Sequence, residues 1–311
     1  MVMAGATKNQ HFVPQSFMER FGENGKISVY FKEDGRLLPN QNPRNYASDR
    51  YYYDTSQVEL EALMREQIEL NPELKPYVGW DDPQLIEHYF SHSEDDAKKL
   101  FDRIEQNPSV INANGSIAKI VIFLHDMAYR NHAYRDDIAR INAVTYKAIS
   151  DMNLKDMERE YVEKTFGPDQ ARSQQLHAIT DITPVLQTNR KLLEEYDIFF
   201  ATAEKDARFL ISDDPAYTVR LDFPEFCFPL SGKHALLFRK PNVTAPIMGT
   251  DSPVGDRISI SIPNVVRYNL LQFCFASRYV FGDTLNLRQM KLLWEQVQNT
   301  NALRLHRSES I

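Results

Sequence analysis

Hydrophobic positions along the chain change period twice, which divides it into three stretches. In the first, Phe17, Met18 and Phe21 recur at helical spacing after Pro14 until Gly22 stops them. The alternating runs ISVYFK and RLLP then flank Glu33-Asp34-Gly35, an Asp-Gly signal for a β-hairpin. The segment ASDRYYYD reads as a third strand, and Ser56-Gln57-Val58-Glu59 fits a capping box opening a helix to about Leu70. From Asn71 to about Asp197 the period is helical almost throughout, strongest over 116–151, with a bend near Asn131-His132, and over 169–196. From Ile198 the period becomes that of strands: IFFATA, ARFLIS, YTVRL, FCFPL, HALLFRK and RISISI, followed by a helix over 265–275, the strand RYVFG and a closing helix over 285–297. The expected architecture is α+β: an antiparallel sheet from the C-terminal third, an N-terminal hairpin, and a large helical insert. The segments 1–70, 71–197 and 198–311 are expected to form one composite domain.

Composition narrows the function classes. No stretch approaches the roughly 18 to 20 apolar residues that span a bilayer, and the N-terminus lacks the basic and apolar regions of a leader, so a cytoplasmic protein is expected. The two cysteines, Cys227 and Cys274, each lie in an FCF run and read as buried, reduced thiols. A net charge of −7 argues against broad adhesion to nucleic acid or membrane and leaves room for a local basic groove. No phosphate-binding Gly-rich loop, dinucleotide fingerprint or Gly-x-Ser-x-Gly elbow is present.

Three segments carry candidate chemistry. His11 follows Gln10 and precedes a Pro-started helix, where a neutral imidazole is favoured. It could serve as base or donor, or tie the N-terminal arm to the sheet. Strand FLIS ends in Asp213-Asp214-Pro215, either a strand-end carboxylate suited to acid-base work or an Asx-Pro turn. Adjacent strand residues point to opposite faces, so one Asp is expected to enter a given site. Arg130, in a helix with His125, Asp126, Tyr129, His132 and Arg135, suits phosphate recognition or a buried ion pair. His88 and His92 have metal-sharing spacing, but Glu87, Ser91, Ser93 and Glu94 around them read as a solvated face.

Gln10-His11-Phe12-Val13-Pro14, the helix IVIFLHDMAYRNHAYR, FLISDDP and FCFPLSGKHALLF together resemble the bacterial family termed domain of unknown function 4238. A fifth element is the helix bearing Asn269 before RYVFG. The resemblance is collinear over most of the chain and departs where Ser-Asp-Asp-Pro replaces a more frequent Ser-Asp-Asn-Pro. It implies a fold unit and a site location and transfers no activity. The family's scattered character suggests an accessory role such as antiviral defence. SDDPAY and FPLSGKH also look superficially like two loops of uracil-DNA glycosylases, although their close spacing contradicts shared descent.

The leading expectation is a metal-independent hydrolase of nucleic acid, specifically a DNA N-glycosylase needing no cofactor and reaching DNA through a local groove. Such chemistry needs a carboxylate near the sugar, a donor to the leaving base, aromatic rings for a flipped base and Arg for phosphate. His11, Asp213 and Asp214 are the candidate catalytic residues, with Gln10, Tyr52, Arg130, Tyr217, Ser231 and Asn269 binding substrate. Two alternatives remain: a metal-dependent nuclease with His11, Asp49, Asp213 and Asp214 around one ion, and a non-catalytic ligand-binding or sensor protein.

Overall fold

A computed structural model of the chain describes residues 8–56, 58–59, 61–62, 65, 69, 82–150, 152, 154–167, 170–216, 224–241 and 254–299. The expected strand YTVRL and most of the helix expected up to Leu70 lie outside the described residues. The capping box that opens that helix is formed: Ser56 N donates to Glu59 Oε2 at 2.9 Å and Glu59 N to Ser56 Oγ at 3.2 Å.

The fold is α+β, and among the described residues the strands lie in two four-stranded sheets and a short ribbon. The ribbon pairs β1 (Asn9–His11) with β4 (Ser48–Arg50), placing Gln10 opposite Asp49. The first sheet has the order β3-β2-β10-β6, from β2 (Ile27–Phe31), β3 (Leu37–Gln41), β6 (Ile211–Ser212) and β10 (Tyr279–Gly282). Every pairing in it is antiparallel. β2 is apolar at four of five positions because it is central, whereas β3, carrying Pro39, takes the edge where a missing N–H costs nothing. The hairpin turn needs Gly35, which sits at φ +70 while its N–H bonds Phe31 O at 2.9 Å. Pairing of β2 with β10 joins the N-terminal hairpin to the C-terminal strands.

The second sheet has the order β7-β8-β5-β9, from β5 (Asp197–Ala203), β7 (Glu225–Pro229), β8 (His234–Arg239) and β9 (Arg257–Ile260). It departs from the expected pattern at one edge, where β9 runs parallel to β5. Of the expected strand ARFLIS only Ile211 and Ser212 pair as a strand. The residues before them bond instead to the Asn269 side chain, which accepts Leu210 N and donates to Arg208 O, both at 2.9 Å, and within the strand Gln272 accepts Ser212 N at 2.8 Å.

Between the hairpin and the second sheet run α2 (Leu85–Gln106), α3 (Ser116–Tyr129), α4 (His132–Ser150), α5 (Asp156–Phe166), α6 (Gln170–Thr180) and α7 (Ile182–Glu195), after a short α1 (Gln15–Met18). α8 (Ile262–Phe275) and α9 (Thr284–Asn299) follow the sheets. The bend expected at Asn131-His132 is a full break made by one side chain. Asn131 Nδ2 donates to Met127 O at 2.8 Å and Ala128 O at 3.2 Å, ending α3, while its Oδ1 accepts Tyr134 N at 2.9 Å, starting α4. Asp181 divides the next long helix by capping Thr183 N at 2.8 Å.

All three sequence stretches meet in a core of aromatic rings. Phe17 stacks on Phe228 at 5.6 Å and meets Phe123 edge-on at 5.2 Å, and Phe101 meets Phe123 at 5.2 Å. Such packing adds about 0.5–1.5 kcal/mol per ring pair beyond the area buried. Cys227 is buried and burial pushes its thiol pKa well up, while Cys274 is only half-buried, short of the burial expected for it. Among the described residues no helix is long and apolar enough to cross a membrane.

Candidate active site

The β1–β4 ribbon builds a polar cleft of about 370 Å³ lined by Asn9, Arg44, Asn45, Ser48, Asp49 and Arg50. Its floor is held from behind. Gln10 is fully buried, accepting Tyr53 N at 2.6 Å and donating to Asp54 Oδ1 at 2.5 Å, and Ala47 O accepts Phe12 N at 2.8 Å. β4 is bracketed by two non-glycine residues in the left-handed region, Ala47 at φ +52 and Tyr51 at φ +54. Backbone conformations of this kind persist only where surroundings enforce them, and they concentrate at functional sites.

Asp49 is the positioned carboxylate of the cleft. Its Oδ2 lies 2.5 Å from His132 Nε2, its side chain is 42% exposed, and that of His132 is 10% exposed. Burial pushes the His132 pKa down, Arg278 lowers it further, and Asp49 opposes both. The ring is therefore neutral at pH 7 and donates its Nε2 proton to the carboxylate. Around His132 pack Phe12, edge-on at 4.8 Å, and Tyr52, whose hydroxyl is 3.5 Å from Nδ1. Burial raises the Tyr52 pKa to about 12, so that hydroxyl keeps its proton. The Arg135 guanidinium lies 3.7 Å over the Tyr52 ring and donates to Gln175 at 2.5 Å. His11 is likewise pushed toward the neutral form, chiefly by burial. Its Nε2 is 3.3 Å from Arg44 O, and since a carbonyl only accepts, Nε2 carries the proton and Nδ1 is left as an acceptor.

Positive charge is uncompensated here. Among the described residues Arg44, Arg50 and Arg278 have no carboxylate partner, in contrast to Arg20, Arg130, Arg172 and Arg239. Arg44 and Arg50 line the cleft, and Arg278 is close enough to act on His132. A chain of net charge −7 thus keeps a local basic patch around one carboxylate.

The other sequence-predicted residues occupy different roles. Asp213 is buried, accepts Ser277 N and Arg278 N at 2.8 Å each, and is pushed up to about 6 by burial against those bonds. It holds the loop that presents Arg278. Asp214 is buried in another direction and accepts Asn131 Nδ2 at 3.0 Å. The two side chains do diverge, and both touch protein groups instead of the cleft. Arg130 is fully buried, bonded to Glu94 at 2.7 Å and Phe12 O at 3.2 Å, 4.8 Å over the Phe90 ring. The β1 end, Arg130-Asn131 and Asp214 thereby form one connected junction behind the cleft. Both amide atoms of Asn269 serve the backbone near β6, and Ser231 Oγ donates to Glu105 at 2.6 Å in a turn against α2. Tyr217 lies outside the described residues. His88 pairs with Asp82 at 2.7 Å on an exposed face, matching its reading as solvated. Asp126 accepts from Tyr89 at 3.2 Å and from Ser93. Among the described residues no three His, Cys, Asp or Glu side chains converge to hold a metal ion.

Sequence reasoning named Asp49 only within the nuclease alternative and passed over Arg44, Arg50 and Arg278. The signal lay in the Ser-Asp-Arg-Tyr and Ser-Arg-Tyr runs, each an Arg before a Tyr at the end or start of a strand. Nothing in their spacing links segments that close only through the ribbon and the Asp213 loop.

A family model described as protein of unknown function (DUF4238) matches residues 9–285, which include the ribbon, the α3–α4 junction and the Asp213 loop. No curated protein and no solved structure matches the chain.

Proposed function

Because the chain belongs to the DUF4238 family, whose description assigns no activity, function has to be argued from the cleft, and we propose a metal-independent hydrolase acting on nucleic acid or a nucleotide, of the N-glycosylase kind. The observation that carries this reading is the Asp49 carboxylate, oriented by neutral His132 and set with three arginines that have no ion-pair partner among the described residues. Arginine forks suit phosphate oxygens, which hold a nucleotide in register. In the reaction the bond from C1′ to the base nitrogen breaks with both electrons leaving on the base. The Asp49 charge offsets the positive charge that develops on the sugar, and water adds at C1′. The water proton passes to Asp49 or to His11 Nδ1 and then to the departing base, so the products are free base and sugar hydroxyl. His132 acts as a positioning residue through its bond to Asp49.

These roles move the proposed chemistry from Asp213 and Asp214 to Asp49. The nuclease alternative draws no support from the described residues, since the Asp213 and Asp214 carboxylates point to Ser277, Arg278 and Asn131. A non-catalytic anion receptor would use the same arginines. The deciding assay incubates single-stranded and duplex DNA, with and without base modification, with the protein in EDTA, then cleaves abasic sites with alkali. The proposal expects alkali-dependent breaks in EDTA. Breaks lost on chelation would establish a nuclease, and bound but intact DNA a receptor.

A further inference from the structure

Tyr51 is an exposed ring one residue beyond the cleft-lining Arg50, on a backbone that is costly for a bulky side chain. It follows Arg50 directly, is 46% exposed, and holds φ +54, a conformation that a bulky side chain adopts rarely. Its N–H bonds Lys8 O at 3.0 Å, which anchors the backbone, while the next two tyrosines turn inward and are buried. Among the described residues the Tyr51 ring makes no aromatic contact, although Tyr52 and Tyr53 pack edge-on at 4.8 Å. An aromatic ring kept in water by a strained backbone contributes little to folding, and such strain is characteristic of binding positions. The preceding residue, Arg50, lines a cleft of about 370 Å³ together with Arg44 and Asp49, with Asn9, Asn45 and Ser48 as neutral hydrogen-bonding groups. That volume falls at the lower end of small-ligand sites, of order 300–1,000 Å³, which suits one nucleotide and excludes a duplex.

We propose that Tyr51 and the arginine-lined cleft form a nucleotide subsite, in which the ring stacks an unpaired base and Arg44 and Arg50 take its phosphate, so that the substrate is single-stranded nucleic acid or a free nucleotide. The inference rests on the proposed function and specifies its substrate class. Stacking on an exposed ring tolerates any base, because each has a π face, whereas a paired base inside a duplex offers none. The polar lining complements sugar and phosphate and leaves the apolar contact to the ring.

The test measures binding of the full chain, in EDTA, to a labelled ten-nucleotide single strand and to the matching duplex, with a nucleoside monophosphate as competitor. Tyr51→Ala removes the ring, Tyr51→Asn removes it with a residue that tolerates the left-handed backbone, and Tyr51→Phe keeps it. The single strand is expected to bind at least about 10-fold tighter than the duplex, with Tyr51→Asn and Tyr51→Ala weakening it by about 10- to 100-fold and Tyr51→Phe close to wild type. Competition by the monophosphate at micromolar levels identifies a free nucleotide as the source, and its absence a strand. Unchanged affinity in Tyr51→Asn, equal affinity for duplex, or no binding to any probe overturns the subsite. Ring-dependent binding with no bond cleaved in any substrate would overturn the hydrolase reading alone. Base release with unchanged KM in Tyr51→Asn would overturn the subsite alone.

Discussion

Asp213 and Asp49 show how burial and partners assign different work to two carboxylates of one chain. Asp213 is closed off from solvent and saturated by backbone N–H groups, so replacing it affects the loop carrying Arg278 before any chemistry. Asp213→Asn places an amide where donors already point and is expected to lower stability by about 1–3 kcal/mol, read by thermal or denaturant unfolding. An unchanged midpoint would show that the loop does not depend on the carboxylate. Arg278 is exposed and unpaired among the described residues, and its removal should cost nothing in stability. Arg278→Ala is expected to weaken nucleic-acid binding and reduce the slope of log K against log salt by about one, the share of a single phosphate contact. An unaltered slope would remove Arg278 from the substrate path. His132, held neutral by burial, contributes stability fully present above its unfolded pKa near 6.5 and lost as pH falls through the lowered folded value.

At the scale of elements, α2 stores charge that the α3–α4 junction needs. Arg130 ends α3 with its guanidinium buried, which requires a nearby carboxylate, and Glu94 supplies it from α2. Two turns earlier on the same helix, Glu87 has no such bond among the described residues and is pushed up to about 7, first by burial, with Glu94 and Asp54 adding to it and Arg130 opposing. The sign follows: a carboxyl with a folded pKa above its unfolded value costs stability at pH values above both and nothing below both. Glu87→Gln is therefore expected to stabilise the protein by about 1–2 kcal/mol at pH 8, a figure discounted for partial exposure, with the gain vanishing below about pH 4. Equal unfolding midpoints for the two proteins at pH 8 would show that water relieves the burial. The ribbon is the other element that matters: three residues of β1 and three of β4, the latter bracketed by left-handed Ala47 and Tyr51, fix the carboxylate and Arg50, with Arg44 in the turn just before β4.

Across the whole molecule, the order of elements was legible where local periodicity carried it. The Asp-Gly hairpin, the helical middle and the C-terminal strands follow from spacing, turn residues and caps, all of which are local. Asn131 and Asp181 broke helices that periodicity alone runs together, because one side chain bonding the backbone outweighs a continuous apolar stripe. β4 and β9 lie within the expected strands ASDRYYYD and RISISI, but the pairing of β4 with β1 and the parallel pairing of β9 with β5 are not legible, since partners are set by tertiary structure and the three residues of β1 have no period to detect. The site was partly legible for the same reason. His11, Tyr52 and the Asp213 loop stand out by their settings, but polar residues with special settings include those that clamp the protein's own groups: Asp213, Asn269 and Gln10 hold backbone, and Asp214 holds the Asn131 side chain. Arg44 and Asp49, His132, and Arg278 come from three segments and meet only through tertiary structure. If Asp49 is the reacting carboxylate, base release from single-stranded DNA in EDTA, measured for wild type and Asp49→Asn side by side, falls about 10²- to 10⁴-fold in kcat in the variant, with a stability change under about 1 kcal/mol because the pair with His132 is partly exposed. Asp49→Asn releasing base at the wild-type rate would contradict that role.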